Sequence, residues 1–235
     1  MSTSTYNALT FALLGSSILA LLLGVAYLVA AIVGWRGPHR KKRFVRFAIC
    51  FGTFPVLVAA QQAVLFGLFL PSLGGQAERQ RQDRADAASL VHVGNPAPSF
   101  TLTDTDGAEF VLDTLRGKVV LVNFFATWCG PCLQELPHVQ KVWDENRNQG
   151  DFALIVIGRE ETDESVAEFR SRHGYTFPMA SDPQRSVYSL YAEELIPRTY
   201  LVSPDGKICF ASTGFREQDL AGLERELAQQ RRSTR

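Results

Sequence analysis

Cysteine is scarce in this chain: there are four in 235 residues, and only Cys129 and Cys132 stand close together. Structural zinc sites take four Cys or His ligands, usually as two spaced pairs. Cys50 and Cys209 are isolated and the four histidines form no HxxxH pattern, so a metal centre has no second pair to draw on. Signatures for nucleotide or haem are missing too, and no dissociable cofactor is implied. Acidic residues are absent from one whole stretch: no Asp or Glu precedes Glu78, although the chain holds 24 of them against 24 Lys and Arg.

Two uncharged apolar runs fill that stretch, about 8–35 and 47–70. Each exceeds the roughly 20 residues that cross a hydrocarbon core, so a two-helix transmembrane hairpin is expected. A cleaved signal peptide fits poorly. No basic region leads the first run, and Arg36, Lys41 and Arg43 follow it instead. Pro55, Gln61 and Gln62 make the second run less perfect, and a buried pair of soluble helices is the rival reading. The amides fit hydrogen bonds between membrane helices. The loop 36–46, RGPHRKKRFVR, carries six Lys or Arg. By the positive-inside rule it stays cytoplasmic, which sends both termini and the large C-terminal region to the extracytoplasmic (periplasmic) side of a bacterial-type cell membrane. A nucleic-acid or anionic-lipid site is the other use of such a loop; beside two spans topology suffices, and the acidic excess elsewhere gives nucleic acid no foothold. Residues 72–90 turn polar and mixed in charge, which reads as a linker or short helical stalk.

The chain's chemistry is concentrated in FATWCGPCLQELP, residues 125–137. An apolar run, Val119–Phe125, ends directly at the motif, and a helical pattern begins inside it. On a first helical turn residues i and i+3 share a side, so the two sulfurs can meet in a disulfide. Cys129 sits at the helix mouth, where unpaired N–H groups and the helix dipole favour thiolate, and is the expected nucleophile. Cys132, one turn deeper, is the expected resolving thiol. Pro131 loses no N–H at a helix start. Glu135 lies one further turn along; partly desolvated, its raised pKa suits it to take the proton of Cys132. A solvated surface glutamate is the bland alternative. Trp128 is either part of a contact surface or simply packed.

The flanking sequence supplies a scaffold. SFTLTD and EFVLD alternate about Thr105, Asp106 and Gly107 as a hairpin. Val119–Phe125 and 152–158 read as buried parallel strands joined by the helix bearing Cys132, Leu136, Val139 and Trp143. Asp163 is the expected cap of the next helix, which ends near Gly174. Residues 177–182 and 183–191 suggest a short strand and helix, and Pro197 precedes a hairpin turning at Ser203–Gly206. Leu220, Leu223 and Leu227 line a last helix, and Cys209 reads as a buried hydrophobe.

VVLVNFFATWCGPCLQELP resembles the active-site segment of thioredoxin-fold proteins, in particular the membrane-tethered extracytoplasmic thiol-disulfide oxidoreductases of the TlpA and ResA type. The resemblance runs from about Val91 to Leu227. It implies an α/β thioredoxin-like domain at 91–235, with a central mixed sheet flanked by helices, after the hairpin (1–71) and linker. Asn123 stands where thioredoxin has a buried Asp, and Glu135 matches the acid of the TlpA and ResA branch. Pro197 matches the cis proline that faces the motif, and Ile196 would offer its backbone to an extended client; an ordinary trans proline opening a strand is the alternative. Trp128, Gly130, Pro131, Ile196 and Pro197 are thus the expected client-binding residues. By the same resemblance the direction is reductive, on cytochrome- or copper-site thiols, with electrons from a membrane-embedded thiol reductant. The extra segment after the second strand is implied to shape partner choice.

Two other functions remain open. The N-terminal hairpin also resembles that of peroxiredoxins, but their peroxide chemistry needs Thr three and Pro seven residues before the cysteine, and Ala126 and Val122 stand there. A metallochaperone or scaffold with a structural CxxC is the other.

Overall fold

The structure, a computed structural model, describes residues 70–233 and a few isolated positions before them. The apolar runs 8–35 and 47–70 and the basic loop 36–46 lie outside the described residues apart from those positions. Among the described residues no helix is long and apolar enough to cross a membrane. The chain divides into two compact units, 1–79 and 80–235, and the second carries the motif.

In chain order the elements are α1 (Leu70–Ala87), β1 (Thr101–Thr103), β2 (Glu109–Val111), a 3₁₀ turn (Leu112–Leu115), β3 (Val119–Phe125), α2 (Gly130–Asn146), β4 (Phe152–Arg159), α3 (Asp163–His173), β5 (Met179–Asp182), α4 (Tyr188–Tyr191), β6 (Arg198–Val202), β7 (Ile208–Thr213) and α5 (Glu217–Ser233). Five strands form one mixed sheet, ordered β5-β4-β3-β6-β7. Strands β3, β4 and β5 run parallel. Strand β6 is antiparallel to β3, and β7 is antiparallel to β6. The expected N-terminal hairpin is a separate two-stranded ribbon pairing Thr101 with Val111.

All seven residues of β3 are buried, as a strand covered on both faces must be. Its side chains alternate. Val119, Leu121 and Phe125 join a core with α2, α3 and α5 through Leu136, Val139, Phe169, Leu223 and Leu227. Val120, Val122 and Phe124 face a second core of Phe100, Leu112, Tyr188, Tyr191 and Tyr200. Each such buried apolar side chain contributes roughly 1.5–3 kcal/mol relative to exposure. Asn123, wholly buried in the same strand, is the polar exception and must be hydrogen-bonded to be tolerated.

Several details differ from the sequence expectations. The 72–90 stretch, expected as a linker or short helical stalk, is helical to Ala87, and its part beyond residue 80 packs on the domain: Ala85 and Ala88 are buried, and Ser89 bridges Ala192. The periodicity of 80–90 hides this, because only small alanines touch the core. The cap of α3 is Thr162, whose hydroxyl accepts from the Ser165 N–H at 3.2 Å, and not Asp163. Thr162 has the extended backbone that a cap requires, whereas Asp163 is already helical and bonds Ser181. Gly174, in left-handed conformation, ends that helix. Trp143 packs against the α2 core but stays partly exposed.

Candidate redox site

The buried central strand β3 delivers the chain to one end of the sheet, and α2 starts after four intervening residues, with Cys129 as its cap. Cys129 and Cys132 are joined in a disulfide, their Cα atoms 5.3 Å apart. The Cys129 sulfur accepts from the Cys132 backbone N–H at 3.3 Å. That N–H belongs to the group of first-turn donors no helix carbonyl can satisfy, and it favours negative charge on this sulfur once the disulfide opens. Depth distinguishes the two. Cys129 retains 5% of its surface exposed and Cys132 none, so an incoming thiol or disulfide reaches Cys129 first.

The turn before Cys129 is fixed from the side. Glu161 accepts from both the N–H and the hydroxyl of Thr127, at 2.8 and 2.7 Å. Trp128 is 69% exposed next to the disulfide, and Leu133 is exposed on the first turns of α2. Gly130 has open space where a Cβ would stand, so nothing among the described residues requires glycine there. Across from the motif, the peptide Ile196–Pro197 is cis. The Ile196 carbonyl oxygen lies 3.9 Å from the Cys129 sulfur.

Glu135 is buried on α2, on the same side as Cys132. Its carboxylate accepts from Asn123 Nδ2 at 2.8 Å and from the Thr199 hydroxyl at 2.7 Å. Asn123 Nδ2 also donates to the Thr199 hydroxyl at 2.8 Å. The triangle follows from sheet register: Asn123 on β3 is paired with Thr199 on β6, so both side chains point at the helix above. Burial raises the Glu135 pKa; the bonds from Thr199 and Asn123 pull it down, and the charge of Asp219 pushes it up again. Arg216, just before α5, and Asp219, in its first turn, stand over it around a small cavity shared with Thr199 and Ser212. The outcome is a carboxyl that holds its proton to higher pH than a free glutamate, one helical turn from the inner sulfur.

The structure thus gathers Trp128, Cys129, Gly130, Pro131, Cys132, Glu135, Ile196 and Pro197 at one end of the sheet. Thr199 was missed; its signal was its place two residues after Pro197, which becomes legible once β6 is known to lie antiparallel to β3. Cys209 is partly buried, its thiol donating to the Leu201 carbonyl at 3.3 Å. Burial pushes its pKa up to about 12, so it remains a protonated, unreactive thiol at neutral pH.

Residues 93–211 match the AhpC/TSA family. The thiol-disulfide oxidoreductase ResA of Bacillus subtilis (strain 168) is 35% identical over 124 residues, which cover 53% of this chain and 69% of that protein. The chain belongs to the AhpC/TSA family and is a thiol-disulfide oxidoreductase of the ResA type. Among solved structures, a Bacteroides thetaiotaomicron protein assigned as a protein disulfide isomerase is 37% identical with a TM-score of 0.59, spanning 61% of this chain and 92% of that one. A thiol:disulfide interchange protein of the thioredoxin family from Chlorobium tepidum TLS is 27% identical with a TM-score of 0.51, spanning 58% of this chain and 95% of that one. A thioredoxin-like α/β domain is what the ResA-type relationship requires, and the mixed sheet with flanking helices is that domain. Disulfide-bearing client proteins follow from the same relationship.

Proposed function

We propose that this oxidoreductase is a membrane-tethered disulfide reductase working on the extracytoplasmic side of a bacterial-type cell membrane. The observation that carries the chemistry is the Cys129 sulfur at the mouth of α2, 3.9 Å from the carbonyl of Ile196 and backed by buried Cys132 and Glu135. In the reduced enzyme the Cys129 thiolate attacks one sulfur of a client disulfide and releases the other as a thiolate. The Cys132 thiolate then attacks Cys129 in the mixed disulfide, and the client leaves with both sulfurs reduced. Two electrons pass to the client, and the enzyme is left with the disulfide described above. Glu135 takes the proton of Cys132 as it attacks, and the client thiolates are protonated on departure.

Ile196, beside Pro197, offers backbone to an extended client segment. Trp128, Gly130 and Pro131 complete the contact surface, the glycine leaving room for it. No dissociable cofactor enters the cycle. A membrane-embedded thiol reductant resets the pair, and cytochrome- or copper-site proteins are the client class that the ResA-type relationship favours. The tether rests on the uncharged runs 8–35 and 47–70, and the sidedness on the basic loop between them.

Peroxidase activity is disfavoured because Ala126 and Val122 stand where peroxide chemistry needs Thr and Pro. Spheroplasts carrying the full chain, given insulin and a membrane-impermeant thiol outside, should precipitate the insulin B chain and leave added peroxide unconsumed. Activity that appears only after lysis would refute the outward placement, and peroxide turnover would refute the reductase reading.

A further inference from the structure

Arg198 directly follows Pro197 and opens β6, yet its long charged side chain is only 1% exposed. A guanidinium is costly to bury unless its donors are met. Among the described residues they are met by neutral oxygens alone. Nε donates to the carbonyls of Glu194 and Leu195 at 3.1 and 3.2 Å, and Nη2 to Glu194 again at 2.9 Å and to Ala85 at 3.3 Å. Nη1 donates to the hydroxyls of Ser89 at 2.7 Å and Tyr200 at 3.4 Å. The Glu194 carboxylate is engaged elsewhere, by Arg84 with two contacts of 2.8 Å.

Two of these acceptors belong to the loop that reaches the disulfide, and that loop is strained. Leu195 has a φ of 73°, a left-handed conformation that a branched side chain adopts only when its surroundings force it. Its carbonyl is held twice, by Arg198 and by the Tyr188 hydroxyl at 2.7 Å. The next carbonyl in the chain is that of Ile196, 3.9 Å from the Cys129 sulfur. Two further acceptors, Ala85 and Ser89, lie at the end of α1, where Ser89 also donates to the Ala85 carbonyl at 2.7 Å. Backbone bonds continue the seam: Leu90 N–H donates to Tyr191 and Glu193 N–H to Ala88, at 3.0 and 2.9 Å.

We propose that Arg198 is a positioning residue for protein clients: it fastens the loop 194–197 to segment 85–89 and holds the Ile196 backbone at the height a client strand must meet. This rests on the reading of Ile196 as the client-binding backbone. Arg198 touches neither sulfur, so small disulfides, which need no strand pairing, are indifferent to it.

The test uses the full-length chain, with insulin as the protein disulfide and oxidised glutathione as the small one. R198K keeps charge and stem but loses the planar fork. Its KM for insulin should rise about tenfold, with kcat, the glutathione rate and the dithiol reduction potential at wild-type values, the pattern of lost uniform binding. A merely structural role lowers the melting temperature and leaves that split absent. Should R198K fail to fold, Ser89→Ala and Tyr188→Phe, each removing one hold on the same seam, should raise the insulin KM about threefold apiece. Folded variants with wild-type insulin KM, or with both substrates slowed in parallel, overturn the proposal. Wild-type protein that turns over glutathione but not insulin overturns the protein-client reading itself, whatever the variants do.

Discussion

Cys129→Ser abolishes disulfide exchange, lowering kcat/KM for insulin and for small disulfides alike by more than about 10³-fold, the scale of losing a nucleophile. The reason lies in position. Cys129 holds the exposed edge of the pair and takes the Cys132 N–H on its sulfur, whereas Cys132 is fully buried and meets a substrate only through Cys129. A serine hydroxyl there is not ionised near neutral pH and cannot form the mixed disulfide. The variant should keep its fold, since an oxygen in place of this sulfur still caps α2. Turnover is measured by insulin turbidity, and folding by far-UV circular dichroism. A folded variant with substantial residual exchange would mean that Cys132 or another thiol is the entry point.

Glu135→Gln changes the pH dependence, and in two ways of opposite sign. For catalysis, the carboxylate accepts the Cys132 proton only when it is ionised. The wild-type rate of mixed-disulfide resolution should therefore fall as pH drops through the raised Glu135 pKa, and the Gln variant should lack that limb. At neutral pH it should resolve about 10²-fold more slowly, the usual scale of one lost general base. For stability, the folded state keeps a proton on Glu135 over the range in which the unfolded chain has lost it. Native protein then binds more protons, so wild-type stability declines with rising pH from the ordinary 4.5 up to the raised value, at a slope of about 1.4 kcal/mol per pH unit where the two states differ by a full proton. The variant lacks this loss and should become relatively more stable above that window. Quenched-flow resolution rates and urea midpoints across pH 4–9 check both, and an unchanged rate profile removes Glu135 from proton transfer.

What made the site readable was its locality. Cys129, Cys132 and Glu135 are spaced by one helical turn each, and the uninterrupted apolar run of β3 announces a central strand just before them. Pro197 could be located because the resemblance to thioredoxin folds implies a cis proline facing the motif, and Pro197, just before a strand, is the residue that matches it. Thr199 and Arg198 were not legible in the same way. Thr199 reaches Glu135 only through the pairing of β6 with β3, strands that are far apart in sequence, and register is a tertiary decision. Arg198 looks like a surface arginine until the 85–89 segment folds over it; charge in a sequence says nothing about which carbonyls will surround it. The packing of 80–90 on the domain was not legible for the same reason, since two buried alanines leave no periodic signal. Thr162 and Asp163 both suit a cap, and only the backbone angle separates them.

The central claim is that Cys129 is the sulfur that joins this enzyme to its client, and a trap reads it directly. In full-length Cys132→Ser the resolving attack is missing, so the mixed disulfide accumulates. Non-reducing electrophoresis of membranes expressing that variant should show reducible high-mass adducts, and peptide mapping should place each linkage at Cys129. Adducts mapping to Cys50 or Cys209, or a Cys129 that stays free while client disulfides disappear, would contradict the account.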